Sequence, residues 1–167
     1  MFYYTNDFQN QADNVKSVII NHSIQDLNEL FELFQISLQI PYSTMTNFAA
    51  FRDVMTELDW IHEGEIRIYH EILPSLDEES LGCYIDVLNL VDVEWRKYEE
   101  QADIVKDFIK QSGKVISKDA WIHKRPKIFN VFFKNKDEYF IKKLLKQYSK
   151  NYQICIHYDK KGLESWK

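Results

Sequence analysis

Short apolar segments alternate with longer amphipathic segments along this chain, and that alternation restricts its possible folds more than any other feature. Val18–Asn21, Gly64–Glu71 and Ile128–Phe133 have the length and residue pattern of strands. Each gap between them contains segments of helix length, which is what a crossover between parallel strands requires. We therefore predict an α/β fold, with a small, mainly parallel sheet of three to four strands flanked by helices.

Two amphipathic helices are predicted between the first two strands. Gln25–Gln39 has apolar residues at helical spacing, with Ser23 as the predicted N-cap and Asp26 in the capping-box position. Asn47 is predicted to cap a second, shorter helix. Its apolar stripe consists of Phe48, Phe51, Met55 and Leu58.

The rest of the chain is predicted to continue the helix and strand alternation. A long third helix follows Pro74 and runs through Trp95, and helical character resumes over Asp103–Gln111. A fourth helix is expected at Asp137–Tyr148 and a last strand at Gln153–Tyr158. We expect this last helix and strand to extend the sheet of the main domain, which gives a domain at residues 1–133 and a basic helix-strand extension at residues 134–167 packed on it.

Acidic and basic residues are segregated along the chain. Residues 1–105 hold 5 Lys+Arg against 20 Asp+Glu, whereas residues 106–167 hold 16 Lys+Arg against 6 Asp+Glu. Binding to phosphates requires cations, so the acidic part argues against nucleic acid as its partner. A basic protein partner suits the acidic part better.

The basic part of the chain leaves an alternative open. Lysines are predicted along one side of the fourth helix, and an aromatic-basic stretch precedes the strand at Ile128–Phe133. A nucleic-acid-binding surface is the functional interpretation of this pattern, and a solvated helix face is the simpler one. The residues concerned are Lys142, Lys143, Lys146 and Lys150 on the helix, and Trp121, His123, Lys124, Arg125 and Lys127 in the stretch.

Several classes of site have no motif in this sequence. Phosphate-binding glycine loops, zinc-protease motifs and paired-cysteine motifs are absent, and no catalytic residue, metal site or cofactor is predicted. Cys83 and Cys155 are expected to be buried free thiols. The chain has neither an apolar run of membrane-spanning length nor the pattern of a signal peptide, so a cytoplasmic protein is expected, with no membrane partner.

The order of these elements and three short sequence motifs resemble the barstar family of ribonuclease inhibitors. The motifs are Ser23-Ile24-Gln25-Asp26-Leu27 at the start of the first helix, Ile40-Pro41-Tyr42 at its end, and Asn47-Phe48-Ala49-Ala50-Phe51-Arg52-Asp53 with Trp60 soon after. The family pattern for the last motif is Asn, a hydrophobic residue, Asp-Ala-Leu-Trp-Asp-Cys-Leu and then a Trp. The resemblance covers roughly residues 18–133 and implies a barstar-like fold.

The resemblance also implies a site, with departures. Asp53 keeps the central acid with which the family occupies a phosphate position in the active site of the nuclease. Ala49 stands where the family often has an aspartate, Arg52 replaces the tryptophan, and Met45 stands where a glycine is usual. We assign no counterpart to the family's second contacting acid, a glutamate on a later helix.

Helical phase places Asp53 away from the core independently of the resemblance. It lies two residues, or about 200° of rotation, from the apolar Phe51. Ala49 and Glu57 lie one turn before and after it on the same outward face. Together with the site that the resemblance implies, the predicted partner-binding residues are Asp53, Ala49, Arg52 and Glu57 on the helix and Tyr42, Ser43 and Thr44 in the loop before it.

Three hypotheses follow for the function. The first is an immunity-type inhibitor, not an enzyme, that covers the active site of a basic ribonuclease or related toxin. The second is a nucleic-acid-associated regulator that uses the basic third of the chain. The third is a structural interaction module that has lost its inhibitory site, as Ala49 and Arg52 suggest. Neither the identity of the partner nor the oligomeric state follows from the sequence.

Overall fold

Four parallel strands form a single sheet in the computed structural model, which describes residues 1–8, 13–41, 45–112 and 126–149. The strands are β1 (Phe2–Tyr4), β2 (Val15–Ile20), β3 (Glu65–His70) and β4 (Ile128–Phe133). Their order in the sheet is β1-β4-β3-β2, and all three pairings are parallel. The predicted α/β class with a small parallel sheet is confirmed.

Within the described residues, four α-helices accompany the sheet. They are α1 (Leu27–Ser37), α2 (Phe48–Glu57), α3 (Glu78–Ser112) and α4 (Glu138–Tyr148). A 3₁₀ turn at Asn135–Asp137 leads into α4. The predicted strand at Gln153–Tyr158 lies outside the described residues.

One face of the sheet carries the core, because strand residues alternate between its two faces. Val18, Ile68 and Val131 stand in register across three neighbouring strands, and each is fully buried. Aromatic residues of α1 and α2, including Phe34 and Phe51, belong to the same buried cluster. Burying each such side chain contributes about 1.5–3 kcal/mol, so this shared face is the main source of stability.

A histidine within this apolar face is held by two polar contacts. The Nδ1 atom of His70 lies 3.1 Å from the carbonyl oxygen of Phe132, and its Nε2 atom lies 3.0 Å from the hydroxyl of Tyr84. Because a carbonyl only accepts, Nδ1 carries the proton and Nε2 accepts from the Tyr84 hydroxyl. Burial lowers the pKa of His70 to about 3, so the ring is neutral and fixes β3 to α3.

The helix starts agree with the predicted caps at α2 but not at α1. The side chain of Asn47 accepts from the backbone N–H of Ala50, which confirms it as the cap of α2. The cap of α1 is Asp26, whose side chain accepts from the backbone N–H of Glu29, so the predicted cap at Ser23 is wrong. The hydroxyl of Ser23 instead lies 2.8 Å from that of Ser75.

The third helix is longer than the sequence pattern indicates. It is continuous over 35 residues, whereas the pattern predicts a break before Asp103. Its first turns also pack against α4, which places the ring of Tyr148 so close to Gly82 that a β-carbon there would overlap it. Tyr148, Ile141 and Leu144 of α4 are all buried.

The first strand has no counterpart among the predicted elements. Phe2–Tyr4 is only three residues long and pairs with β4 at the edge of the sheet. An isolated segment of this length has no periodicity to detect, and it becomes a strand because β4 offers it a free edge.

The expectation of a free thiol is also wrong for Cys83. This residue is fully buried in α3 and is disulfide-bonded. The other cysteine of the chain, Cys155, lies outside the described residues.

A buried carboxylate on α3 lacks the partners that such groups normally have. Asp86 is 1% exposed, and neither of its carboxylate oxygens has a hydrogen-bond partner in the described part of the chain. Desolvation raises the pKa of this carboxyl above its ordinary value of 3.8. The ionised form therefore opposes folding at neutral pH.

Replacing Asp86 with Asn should stabilise the protein at pH 7. The raised pKa means that the folded state holds the proton more tightly, so the destabilisation is absent below pH 3.8 and develops as pH rises through the folded-state pKa. We expect Asp86→Asn to raise the free energy of unfolding at pH 7 by about 1–2 kcal/mol, and by less at pH 4. Urea unfolding at both pH values measures this, with Glu99→Gln as an exposed control on the same helix. Equal stability of Asp86→Asn and wild type at pH 7 would contradict the account.

Candidate functional site

The helix that carries Asp53 is fixed by its opposite face. Phe48, Phe51 and Met55 are buried in the core, and α2 packs along α3. At the end of α2, the indole N–H of the buried Trp95 donates to the backbone carbonyl of Met55 at 3.0 Å. This bond joins residues 40 positions apart and sets how closely α3 approaches α2.

A surface cleft of about 410 Å³ lies between α2 and α3. One wall comes from α2 and the other from residues at successive turns of α3. Its lining combines both charge signs with an aliphatic and an aromatic side chain. The lining residues are Arg52, Asp53 and Thr56 on α2 and Leu90, Glu94 and Tyr98 on α3.

An ion pair between neighbours occupies the α2 wall. The side chain of Asp53 is 62% exposed, which confirms its predicted outward orientation, and that of Arg52 is 33% exposed. The guanidinium of Arg52 donates to Oδ1 of Asp53 from Nη2 at 2.6 Å and from Nε at 3.1 Å. The hydroxyl of Thr56 donates to the backbone carbonyls of both residues, which fixes the turn beneath them.

The α3 wall brings a second acid into the cleft. Glu94 lines it opposite α2, and its carboxylate accepts from the ammonium of Lys97 at 2.9 Å. Tyr98 lies one turn further along, with its ring 5.6 Å from the ring of Trp95 in an edge-to-face contact. The residue that holds α3 against α2 therefore also positions the aromatic ring of the cleft.

The residues predicted as a partner-binding set are only partly brought together. Asp53 and Arg52 line the cleft. Glu57 is exposed on the next turn and Ala49 is half-buried on the preceding one, and neither is among the lining residues. The remaining predicted residues, Tyr42, Ser43 and Thr44, lie outside the described residues.

Sequence reasoning did not find the α3 side of the site. Leu90, Glu94 and Tyr98 follow one another at intervals of four residues and so form one row along the helix. This row flanks the buried stripe that contains Val91 and Trp95. The spacing was a detectable signal, but only the tertiary packing shows that the row faces α2.

Several cations of the basic part of the chain are engaged in contacts within the fold. The buried Lys127 donates from its ammonium to the backbone carbonyls of Ile61 and Glu63, at 2.7 and 3.0 Å. On α4, Lys142 pairs with Glu138, and Lys143 pairs with Glu78 at 3.1 Å. These contacts favour the structural interpretation of the lysines concerned. Trp121, His123, Lys124, Arg125 and Lys150 lie outside the described residues.

Metal ligands and membrane-spanning helices are both absent from the described part of the chain. Among residues 1–8, 13–41, 45–112 and 126–149, no three His, Cys, Asp or Glu side chains are grouped as metal ligands. Over the same ranges, no helix combines the length and the apolar character needed to cross a membrane.

The Trp95 bond should contribute measurably to stability and to the order of α2. Replacing Trp95 with Phe removes the donor, leaves the buried carbonyl of Met55 without it, and opens space. We expect the free energy of unfolding to fall by about 2–3 kcal/mol and amide exchange at the end of α2 to accelerate. Trp60→Phe is a matched control, because the half-buried Trp60 donates to the carbonyl of Leu38 outside the α2–α3 contact. If both variants lost stability equally without faster exchange in α2, the positioning role of Trp95 would be wrong.

Comparison with known proteins identifies the family. A family model described as Barstar (barnase inhibitor) matches residues 15–107, which is more than half of the 167 residues. The matched span runs from β2 into α3 and includes both walls of the cleft. A search of the curated proteins and a search of the solved structures each gave no match. The chain belongs to the barstar family of barnase inhibitors.

Proposed function

We propose that this protein is an immunity-type inhibitor that binds a basic ribonuclease or related toxin and blocks its active site, with Asp53 as the central acidic contact. Membership of the barstar family supports binding to a ribonuclease in general. The observation that carries the finer proposal is the exposed carboxylate of Asp53 on α2, at the position of the central acid in the family pattern.

The surroundings of Asp53 suit a basic partner. Glu94 lies across the cleft, and Glu57 is exposed one turn further along α2. The first 105 residues carry 20 acidic side chains against 5 basic ones, so the potential around the site attracts cations. A nuclease that binds phosphates presents such cations in its active site, and an inhibitor carboxylate takes the place of a phosphate among them.

The proposed action requires no reaction by this chain. Members of the family are inhibitors, and we propose the same for this protein rather than an enzymatic activity. We further propose that residues 1–133 form the inhibitor domain and that residues 134–167 extend it. The packing of α4 on α3 supports that division.

We also propose that the inhibitor acts in the cytoplasm, as half of a toxin–antitoxin pair, because an immunity protein must meet its toxin inside the cell that makes both. The disulfide of Cys83 counts against this compartment, because disulfides are more common in oxidising compartments. Fractionation of cells that express the full chain tests the compartment. Recovery of the protein outside the cytoplasm would contradict it.

Removing the Asp53 carboxylate should weaken inhibition through faster dissociation. Barnase, which the family description names, serves as the first probe, and a ribonuclease captured from the native cell as the second. Asp53→Ala would leave desolvated cations of the nuclease without a partner, which costs about 2–5 kcal/mol in such interfaces. That range is borrowed from other complexes, among which barnase and barstar are the best-known example.

Glu57→Ala is the matched control on the same helix. We expect it to alter chiefly the association rate and its salt dependence, because Glu57 lies at the rim of the proposed contact. Stopped-flow binding and inhibition assays at several ionic strengths measure both variants. Tight binding and full inhibition by Asp53→Ala would show that Asp53 is not the central contact.

A further inference from the structure

Arg52 covers half of the carboxylate on which the proposed function depends. Both of its hydrogen bonds to Asp53 fall on Oδ1. Within the described part of the chain, Oδ2 of Asp53 accepts no hydrogen bond. One oxygen is therefore engaged inside the protein, while the other is left open on a side chain that is 62% exposed and lines the cleft.

This arrangement discriminates between kinds of cation. A guanidinium binds a carboxylate most strongly with two parallel N–H···O bonds, one to each oxygen. An ammonium is a compact charge that needs only one oxygen. With Oδ1 held by Arg52, an arginine from a partner meets a site already half filled by an identical group.

The Arg52–Asp53 pair is nevertheless displaceable. Its carboxylate is 62% exposed, and ion pairs at exposed sites contribute little to stability. Arg52 also adds a positive charge to the cleft, which repels an incoming cation by an amount that salt reduces. The occupation of Oδ1 by Arg52 and this repulsion both lower the affinity of the surface for basic groups. The occupation of Oδ1 acts mainly against arginine.

We propose that Arg52 is a specificity determinant, an internal competitor that keeps a partner's arginine from binding Asp53 through both carboxylate oxygens. A partner then either presents a lysine to Oδ2, or supplies an acceptor that draws the Arg52 guanidinium away. The biological meaning of this inference rests on the proposed function, because it assumes that the Asp53 surface is the one that binds.

The test uses peptide probes that do not depend on identifying the nuclease. Binding of hexa-arginine and hexa-lysine peptides at low ionic strength is measured by calorimetry for wild type and Arg52→Gln. We expect Arg52→Gln to tighten hexa-arginine binding about three- to tenfold, and hexa-lysine binding about twofold or less. Adding Asp53→Asn to Arg52→Gln should abolish the preferential gain for arginine.

A matched control separates this effect from a general change in charge. Arg96→Gln removes an exposed guanidinium that pairs with Asp92 on α3, and Arg96 is not among the residues of the cleft. It should change the affinity for both peptides equally and by twofold or less. Circular dichroism melts confirm that the variants are folded.

Either of two results of the peptide measurements overturns the proposal. Unchanged or weaker hexa-arginine binding by Arg52→Gln would mean that Arg52 does not compete. An equal gain for both peptides would mean that only net charge matters. If the arginine preference appears but no nuclease is inhibited, the proposed function fails while the competition by Arg52 stands. If a nuclease is inhibited but the preference does not appear, the competition fails while the proposed function stands.

Discussion

Burial of one apolar face of the parallel sheet is the constraint on which the rest of the structure depends. The strands come from distant parts of the sequence, and parallel pairing forces a crossover between neighbours. The helices meet that requirement and cover the face that Val18, Ile68 and Val131 present. α2 and α3 come together because both bury apolar stripes in this core, and the bond from Trp95 to Met55 fixes their contact. The cleft is a consequence of this packing, with polar residues left on the outer side of both helices.

The sequence predicted the elements that have a strong local pattern. The predicted bounds of β4 are the observed ones. Asn47 was recognised as a cap because an asparagine directly before an apolar stripe can accept a hydrogen bond from a free backbone N–H of the first helical turn. The continuity of α3 was missed because its polar middle section lacks the periodicity that a short window detects. β1 was missed because three residues acquire strand geometry only from a neighbour.

In the candidate site, too, the local features were predicted and the features that depend on tertiary packing were not. The outward orientation of Asp53 follows from helical phase within α2, a local property, whereas its choice as a contact comes from the resemblance to the barstar family. Glu94 and Tyr98 were not predicted, since their relation to Asp53 depends on how two helices separated by β3 pack together. The pairing of Arg52 with Asp53 was also missed. Residues adjacent in sequence usually point to different sides of a helix, and only the long guanidinium side chain allows this contact.

The departures from the family pattern change the character of the surface more than its position. An alanine at position 49 removes an acid that the family often has, and an arginine at position 52 adds a cation beside the acid that is kept. Glu94 supplies a negative charge from α3 in the same cleft. We infer a surface that favours a different arrangement of cations from the archetypal one, while the fold that presents it is that of the family.

Mapping the binding footprint tests most directly the claim that the partner binds at α2 and α3. Hydrogen exchange of the full chain would be measured with and without a ribonuclease captured from the native cell. The account predicts slower exchange in the complex over α2 and over residues 90–98 of α3, with no change on the sheet face that exposes Tyr3 and Ile128. Protection confined to that sheet face or to α4, with α2 unchanged, would contradict it.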